Sequence, residues 1–283
     1  MRANQYMRTL FLFVFSIAFT GNLLGQHYYK DIVLTRELAE KRALFEANKV
    51  KTVRMKSFDN MNQPIEKFSC TQTVTNNFTL IKTVTTDPLT GSSESNNFFD
   101  ANGRLVRSID TTEGARNITT YAYNEAGQLT EVNSQSISPG DFKMTEQHLW
   151  SYDAKGRPQE MLKIKNGTDT THVEFVLDDN GNVVEEKSRI KGVLQPGVYY
   201  YYDSSNRLTD VVRYNVRAQR MLPDYMFEYN DRGQLQTMLT PMQTIGDYQK
   251  WYYTYDEKGL KVKDECFNKA RALIGRIEYT YQF

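Results

Sequence analysis

One pattern governs what this chain can fold into: an aromatic residue, Asp or Asn, two variable residues and Gly, recurring along 283 residues. In chain order it reads FDNMNQPI from Phe58, FDANGRLV from Phe99, YNEAGQLT from Tyr123 and YDAKGRPQ from Tyr152. It continues as LDDNGNVV from Leu177, YDSSNRLT from Tyr202, YNDRGQLQ from Tyr229 and YDEKGLKV from Tyr255. The glycine position falls at 62, 103, 127, 156, 181, 206, 233 and 259, a period of about 26 after one long first interval. Asp or Asn opens each turn because its side chain can accept a backbone N–H two residues on. Gly in six copies, and Asn62 and Asn206 in the others, tolerates the positive φ that follows a type I turn in a hairpin.

The flanks read as strands. Aromatics alternate before the turn, as in Tyr121 and Tyr123, Trp150 and Tyr152, and Tyr253 and Tyr255, which puts each pair on one face. A polar and then an apolar residue open the return strand, as in Arg104–Leu105 and Gln128–Leu129; Pro158 predicts a strand start or an edge. A second row of turns is expected at Glu113–Gly114, Ser138–Pro139–Gly140, Asn166–Gly167, Pro196–Gly197, Pro223–Asp224 and Gly246–Asp247. The expected fold is all-β: an antiparallel β-hairpin repeat array over residues 51–283, a curved meander or spiral strip. The 13% aromatic content, with 19 Tyr, agrees with a pleated, half-buried surface.

Two segments precede the array. Residues 1–25 read as a signal peptide: Arg2 and Arg8 lead into an apolar run of ten, Leu10–Phe19, too short for a span of about 20 residues. Export is expected, with no membrane span after cleavage. Residues 26–50 read as a capping segment with one short N-terminal helix from Arg36 to about Asn48, capped by Thr35 and apolar at Leu34, Leu38 and Phe45. Such a helix would cover the first edge strand of the array.

The copies SYDAKGRP at Ser151–Pro158, YYDSSNRL at Tyr201–Leu208 and TYDEKGLK at Thr254–Lys261 resemble the YD repeat of the Rhs family. The resemblance covers residues 51–283 and implies hairpins that spiral into a strip or hollow shell. Larger members hold a C-terminal toxin in that shell, and related extracellular proteins use it in adhesion. Eight units look too few for a spacious closed shell, and the chain ends on the strand IEYTYQF. The resemblance therefore implies a short exported bacterial member without a toxin domain, sharing the architecture and not the function.

The sequence points to no catalytic, cofactor-binding or metal-binding residue, to no cofactor and to no enzyme. His27, His148 and His172 share no metal-ligand spacing with one another or with Cys70 and Cys266. Asp178-Asp179-Asn180-Gly181-Asn182 resembles a calcium loop, but Val183 stands where its glycine should be and Arg189 where its bidentate Glu should be. Glu185 and Glu186 are adjacent and so face opposite sides of a strand. Cys70 and Cys266 are expected to pack unpaired. A formal charge of +1 suggests no nucleic-acid partner. The runs Tyr199–Tyr202 and Trp251–Tyr253 place rings on both faces of their strands, for packing or for an outward surface.

The expected function is an exported structural or interaction protein presenting a β-repeat surface, meeting an unknown protein or glycan in the periplasm, at the outer surface or outside the cell. One alternative is a glycan- or protein-binding module of the cell envelope. Another is an outer-membrane β-barrel, suggested by Ile277, Tyr279, Tyr281 and Phe283 at alternate positions. Charge on both faces of VVEEKSRI, Val183–Ile190, speaks against the barrel.

Overall fold

The aromatic–Asp/Asn–x–x–Gly segments form the turn that their residues dictate. At Asp100, the Gly103 N–H donates to the Asp100 carbonyl at 3.0 Å and the Asp100 N–H donates to the Arg104 carbonyl at 2.9 Å. The Asp100 carboxylate accepts the N–H groups of Asn102 and Arg104. The same backbone pair recurs from Asn124, Asp153, Asp178, Asp203, Asn230 and Asp256. Gly103, Gly127, Gly156, Gly181, Gly233 and Gly259 have φ between 77° and 87°, and Asn206 has φ 58°. Each of these seven turns is preceded by a one-residue register shift at its aromatic or Leu position, as between Phe98 and Phe99 or Tyr201 and Tyr202. Such bulges bend the strand and raise its twist, which favours curling.

The computed structural model describes residues 27–140, 142–242 and 246–283; the signal-peptide reading lies outside them. One helix, α1 (Lys30–Ala47), precedes β1 (Thr52–Phe58), β2 (Ser69–Val74), β3 (Leu80–Asp87), β4 (Gly91–Phe99) and β5 (Leu105–Thr112). Then come β6 (Ala115–Tyr123), β7 (Leu129–Ser138), β8 (Phe142–Tyr152), β9 (Pro158–Lys165) and β10 (Asp169–Leu177). The chain continues through β11 (Val183–Ile190), β12 (Val193–Leu194), β13 (Val198–Tyr202), β14 (Leu208–Asn215) and β15 (Arg220–Tyr229). It ends with β16 (Leu235–Pro241), β17 (Tyr248–Tyr255), β18 (Lys261–Asn268) and β19 (Leu273–Gln282).

Every hairpin pairs with the next, and β19 pairs with β1 over seven residues, from Thr52 opposite Gln282 to Phe58 opposite Arg276. The antiparallel array is therefore a closed barrel of 18 strands, β12 being a two-residue piece of the line that β13 resumes. The expectation that so few units leave the sheet open is corrected by this pairing. Closure gives each strand two partners, so no edge remains for a helix to cover.

The turns fall on two rims. The row of Asp/Asn turns forms one, called here the YD rim. Because β1 runs away from that rim, the Asp59 turn sits at the opposite end, although its local bonds are the same. The turn that occupies its place on the YD rim is Thr75–Phe78, where Phe78 takes φ 54°. From Phe78 to Gly103 is 25 residues, so the long first interval disappears. On the far rim, hairpins close at Glu113–Gly114, Pro139–Gly140 and Asn166–Gly167, and Gly246–Asp247 lies in a fourth, as expected. Two expected turns are corrected. The chain reverses at Lys191–Gly192 rather than Pro196–Gly197, and at Val216–Gln219 rather than Pro223–Asp224, which lies inside β15. Pro223 there sits at a register shift, where a missing N–H is tolerated.

Eighteen strands tilted by about 40° enclose a radius of roughly 16–18 Å, wide enough for an aqueous channel. Here α1, about 10–12 Å thick with its side chains, occupies that space. Its start packs Tyr28, Tyr29 and Ile32 among Trp150, Met161, Val173, Phe175, Tyr200 and Val211 of β8–β14. Its end packs Leu38, Leu44 and Phe45 among Val53, Met55, Val74, Ile81, Phe99 and Ile277 on the other side of the ring. One helix touching opposite walls lies within the barrel. It begins earlier than expected, and Thr35 is buried in its second turn, bonding back to the Asp31 and Ile32 carbonyls instead of capping.

These apolar clusters lie in the half of the barrel nearest the YD rim. Deeper along β6 and β7 the inner face becomes polar, through Thr119 with Ser134 and Ser136 to Asn117, while on β2 Gln72 donates to Thr83 between the apolar positions of Val74 and Cys70. The outer wall carries ion pairs: Lys82–Glu94, Lys187–Glu185, Lys250–Glu228, Lys263–Glu265 and Arg276–Glu278.

Candidate functional site in the barrel interior

The inward face set by the alternating aromatics also carries titratable groups. Glu146, His148, Trp150 and Tyr152 alternate along β8, and His148 meets the start of α1. His148 Nδ1 lies 2.5 Å from Asp31 Oδ2, and its Nε2 lies 3.0 Å from Glu146 Oε1. Lys163 Nζ of β9 reaches the other Glu146 oxygen at 2.8 Å and stands over the Tyr28 ring. On β11, Glu186 Oε2 accepts the Tyr28 N–H at 2.8 Å, the Tyr29 N–H at 3.1 Å and the Tyr200 hydroxyl at 2.8 Å.

The electrostatics follow from this geometry. Burial pushes the His148 imidazole down, but Asp31 and Glu146 outweigh it and raise it to about 9. Burial pushes Glu146 up, yet the hydrogen bonds from His148 and Lys163 bring it to about 2. Burial dominates at Glu186, which is raised to about 7 despite its three donors. At neutral pH His148 is an imidazolium with both nitrogens engaged, which leaves it no lone pair to act as base or nucleophile. The arrangement is a clasp between helix and wall.

A second cluster lies beside the helix's later turns. Asp264 of β18 accepts the Tyr279 hydroxyl at 2.7 Å and lies 3.4 Å from Lys261 Nζ. Burial, reinforced by Lys261, pulls Lys41 of α1 down to about 8.

The remaining candidates separate. His27 sits edge-on to Tyr200 and Tyr225, while His172 is on the outer face of β10. Asp178 accepts the N–H and the side-chain amide of Asn182, so the calcium-like stretch is a hairpin turn. Among the described residues, no group of three or more His, Cys, Asp or Glu is placed to hold a metal ion. Cys70 and Cys266 are both buried and free. Glu186 faces in and Glu185 out, as alternation requires. Tyr200, Tyr202, Trp251 and Tyr253 face in, whereas Tyr201 and Tyr252 are exposed. Sequence reasoning missed the clasp. Its one available signal was that Glu146 and His148 fall in the alternate positions of Trp150 and Tyr152.

A closed antiparallel array of turn-marked hairpins is the class of fold that these observations define. The RHS Repeat family model matches residues 99–134. Two curated relatives from Dickeya dadantii (strain 3937) are similar: the probable deoxyribonuclease RhsA, 27% identical over 193 residues, and the probable deoxyribonuclease RhsB, 29% identical over 161. The matches cover 62% and 53% of this chain but only 12% and 10% of those proteins. The chain is thus an Rhs-like, YD-repeat β-hairpin protein. Solved structures with weaker likeness include the Photorhabdus luminescens Tc holotoxin pore, 16% identical with a TM-score of 0.35 over 76% of this chain and 12% of that one. A porin-like protein from Bacteroides uniformis is 9% identical, with a TM-score of 0.39 over 82% of this chain and 98% of that one.

Proposed function

We propose that this chain is an exported, non-catalytic structural or interaction protein of the cell envelope or exterior, which works through the outside of its barrel. The observation that carries this reading is the placement of α1: it packs the chain's own residues into the half of the barrel nearest the YD rim and engages His148 directly, while Glu186 accepts the N–H groups just before it. The Rhs repeat is itself a structural element, which agrees with a scaffold. The partner on this reading is a protein or glycan at the cell surface and not a nucleic acid. The charged outer wall favours a water-facing barrel over an outer-membrane one, because a lipid-facing charge near the midplane costs about 2–4 kcal/mol. No helix among the described residues is long and apolar enough to cross a membrane, a fact that bears on helices alone. Fractionating the producing cells tests the reading. Recovery of processed protein outside the cytoplasm, soluble without detergent after carbonate extraction, supports it. Retention in the carbonate pellet returns the outer-membrane barrel.

A further inference from the structure

The two rims differ in chemistry. Among the described residues, none of the large apolar side chains that stand exposed belongs to the seven Asp/Asn turns of the YD rim. Many of them gather on the far rim instead. Two neighbouring hairpin tips there, 189–194 and 215–221, stand roughly 10 Å apart across two strand steps. The first exposes Ile190, Val193 and Leu194, the last two at 64% and 57%, and the second exposes Val216 at 71%. The same tips carry Arg189 and Lys191, and Arg217 and Arg220, with no acidic residue in either segment. Among the described residues, none of these four cations joins an ion pair, whereas Lys82, Lys187, Lys250, Lys263 and Arg276 on the wall each do. The near-zero net charge therefore conceals a local cationic sector.

We propose that this sector of the far rim docks the protein onto an anionic lipid surface, with the tips' aliphatic side chains entering the headgroup boundary and the four cations meeting lipid phosphates. Shape favours a lipid over a folded partner. The apolar groups project from convex tips, and a fluid medium can surround such a tip on all sides without a preformed pocket. Charge favours it as well, because apolar insertion and attraction to anionic headgroups add. The proposal deepens the reading of the chain as an interaction protein and depends on its export.

Co-sedimentation of the processed chain with vesicles tests it, using phosphatidylcholine alone and phosphatidylcholine with about 30% phosphatidylglycerol, at low and high salt. Binding is expected to the anionic vesicles only and to weaken with salt. Lys191→Glu with Arg217→Glu should weaken it more than tenfold, on the order of a fivefold loss per charge removed. Val193→Ser with Val216→Ser should also weaken it, while Lys155→Glu with Arg232→Glu on the YD rim should not. Leu194→Trp gives a second readout, a blue-shifted emission and quenching by brominated lipid. Equal binding to both vesicle types, no binding, indifference to the tip substitutions, or capture of a soluble acidic polysaccharide in place of vesicles would each overturn the proposal. Fractionation reads export separately, so a failure at the vesicle leaves that reading standing.

Discussion

The phenol of Tyr123 donates a 2.7 Å hydrogen bond to the carbonyl of Leu105, the first residue of the strand that returned from the previous YD turn. The relation recurs from Tyr152 to Leu129, Tyr202 to Val183, Tyr229 to Leu208, Tyr255 to Leu235 and Tyr281 to Lys261. These six links tie neighbouring turns around the rim; Phe99 and Leu177 have no hydroxyl to make one. The residue after the glycine position adds a second tie: Gln128 donates to the Gly156 carbonyl, and Arg104 and Arg207 stack over Tyr123 and Tyr229.

Removing one phenol leaves a half-buried carbonyl short of its donor. Tyr229→Phe should cost about 0.5–1.5 kcal/mol, read as a shift of the urea midpoint at unchanged slope. The converse holds at Leu177, which occupies the same place without a hydroxyl. Leu177→Tyr can reach the Pro158 carbonyl and should stabilise by up to about 1 kcal/mol.

The clasp is testable from either side. Asp31 and His148 are both nearly inaccessible to solvent, so His148→Ala leaves a buried carboxylate uncompensated and should cost about 3–5 kcal/mol. Amide exchange in α1 should rise before exchange in the strands does, because the helix is held to the wall there.

Stability should depend on pH through the same residues. His148 is raised from 6.5 to about 9, so its contribution is full below about pH 6.5 and is lost as the pH rises through about 9. Glu186, raised from 4.5 to about 7, contributes fully below about pH 4.5 and loses that contribution as the pH rises through about 7. Denaturation midpoints should therefore fall from pH 6.5 towards pH 8, a window clear of the opposite contributions of His27, lowered to about 3, and Lys41, lowered to about 8. Glu186→Gln should flatten the lower part of that slope, and a His148 variant the upper part.

Gly127 has φ 79°, and only the Arg104 guanidinium, at 3.9 Å, lies near the place a Cβ would take. Gly127→Ala should thus report backbone strain alone, about 1–2 kcal/mol.

Cys70 and Cys266 stand three strand steps apart through β1 and β19, roughly 14 Å across the sheet and offset along it. A disulfide needs Cα atoms within about 7 Å. Burial pushes both thiols up, Cys266 to about 12. A non-reducing gel should show no internal crosslink, and thiol reagents should label the protein only once it unfolds.

The hairpins were legible because a turn is decided within a few residues: Asp100 and Gly103 carry their own geometry. What the sequence could not show was non-local. Closure depends on Val53 meeting Tyr281, and no spacing announces a pairing between strands so far apart in the chain. The Asp59 turn misled because its local chemistry is right while its end of the barrel is wrong. Phe78, which holds the true place on the YD rim, is a bulky residue at positive φ, a conformation its type gives no reason to expect. The helix was legible, but its position was not. Arg42 looks like part of a solvent-facing side until the wall supplies the Phe78 carbonyl to which it donates.

Ring closure also bears on how such a chain could change its length. In an open array a unit can be gained or lost at an end while every other contact stands. Here one further unit of about 26 residues adds two strands and widens the radius by roughly 2 Å, a gap that strips α1 of its contacts on one side or the other. One unit fewer narrows the ring onto the helix by as much. The helix acts as a gauge of circumference, so duplication or deletion of a repeat has to be matched by a change in residues 28–50.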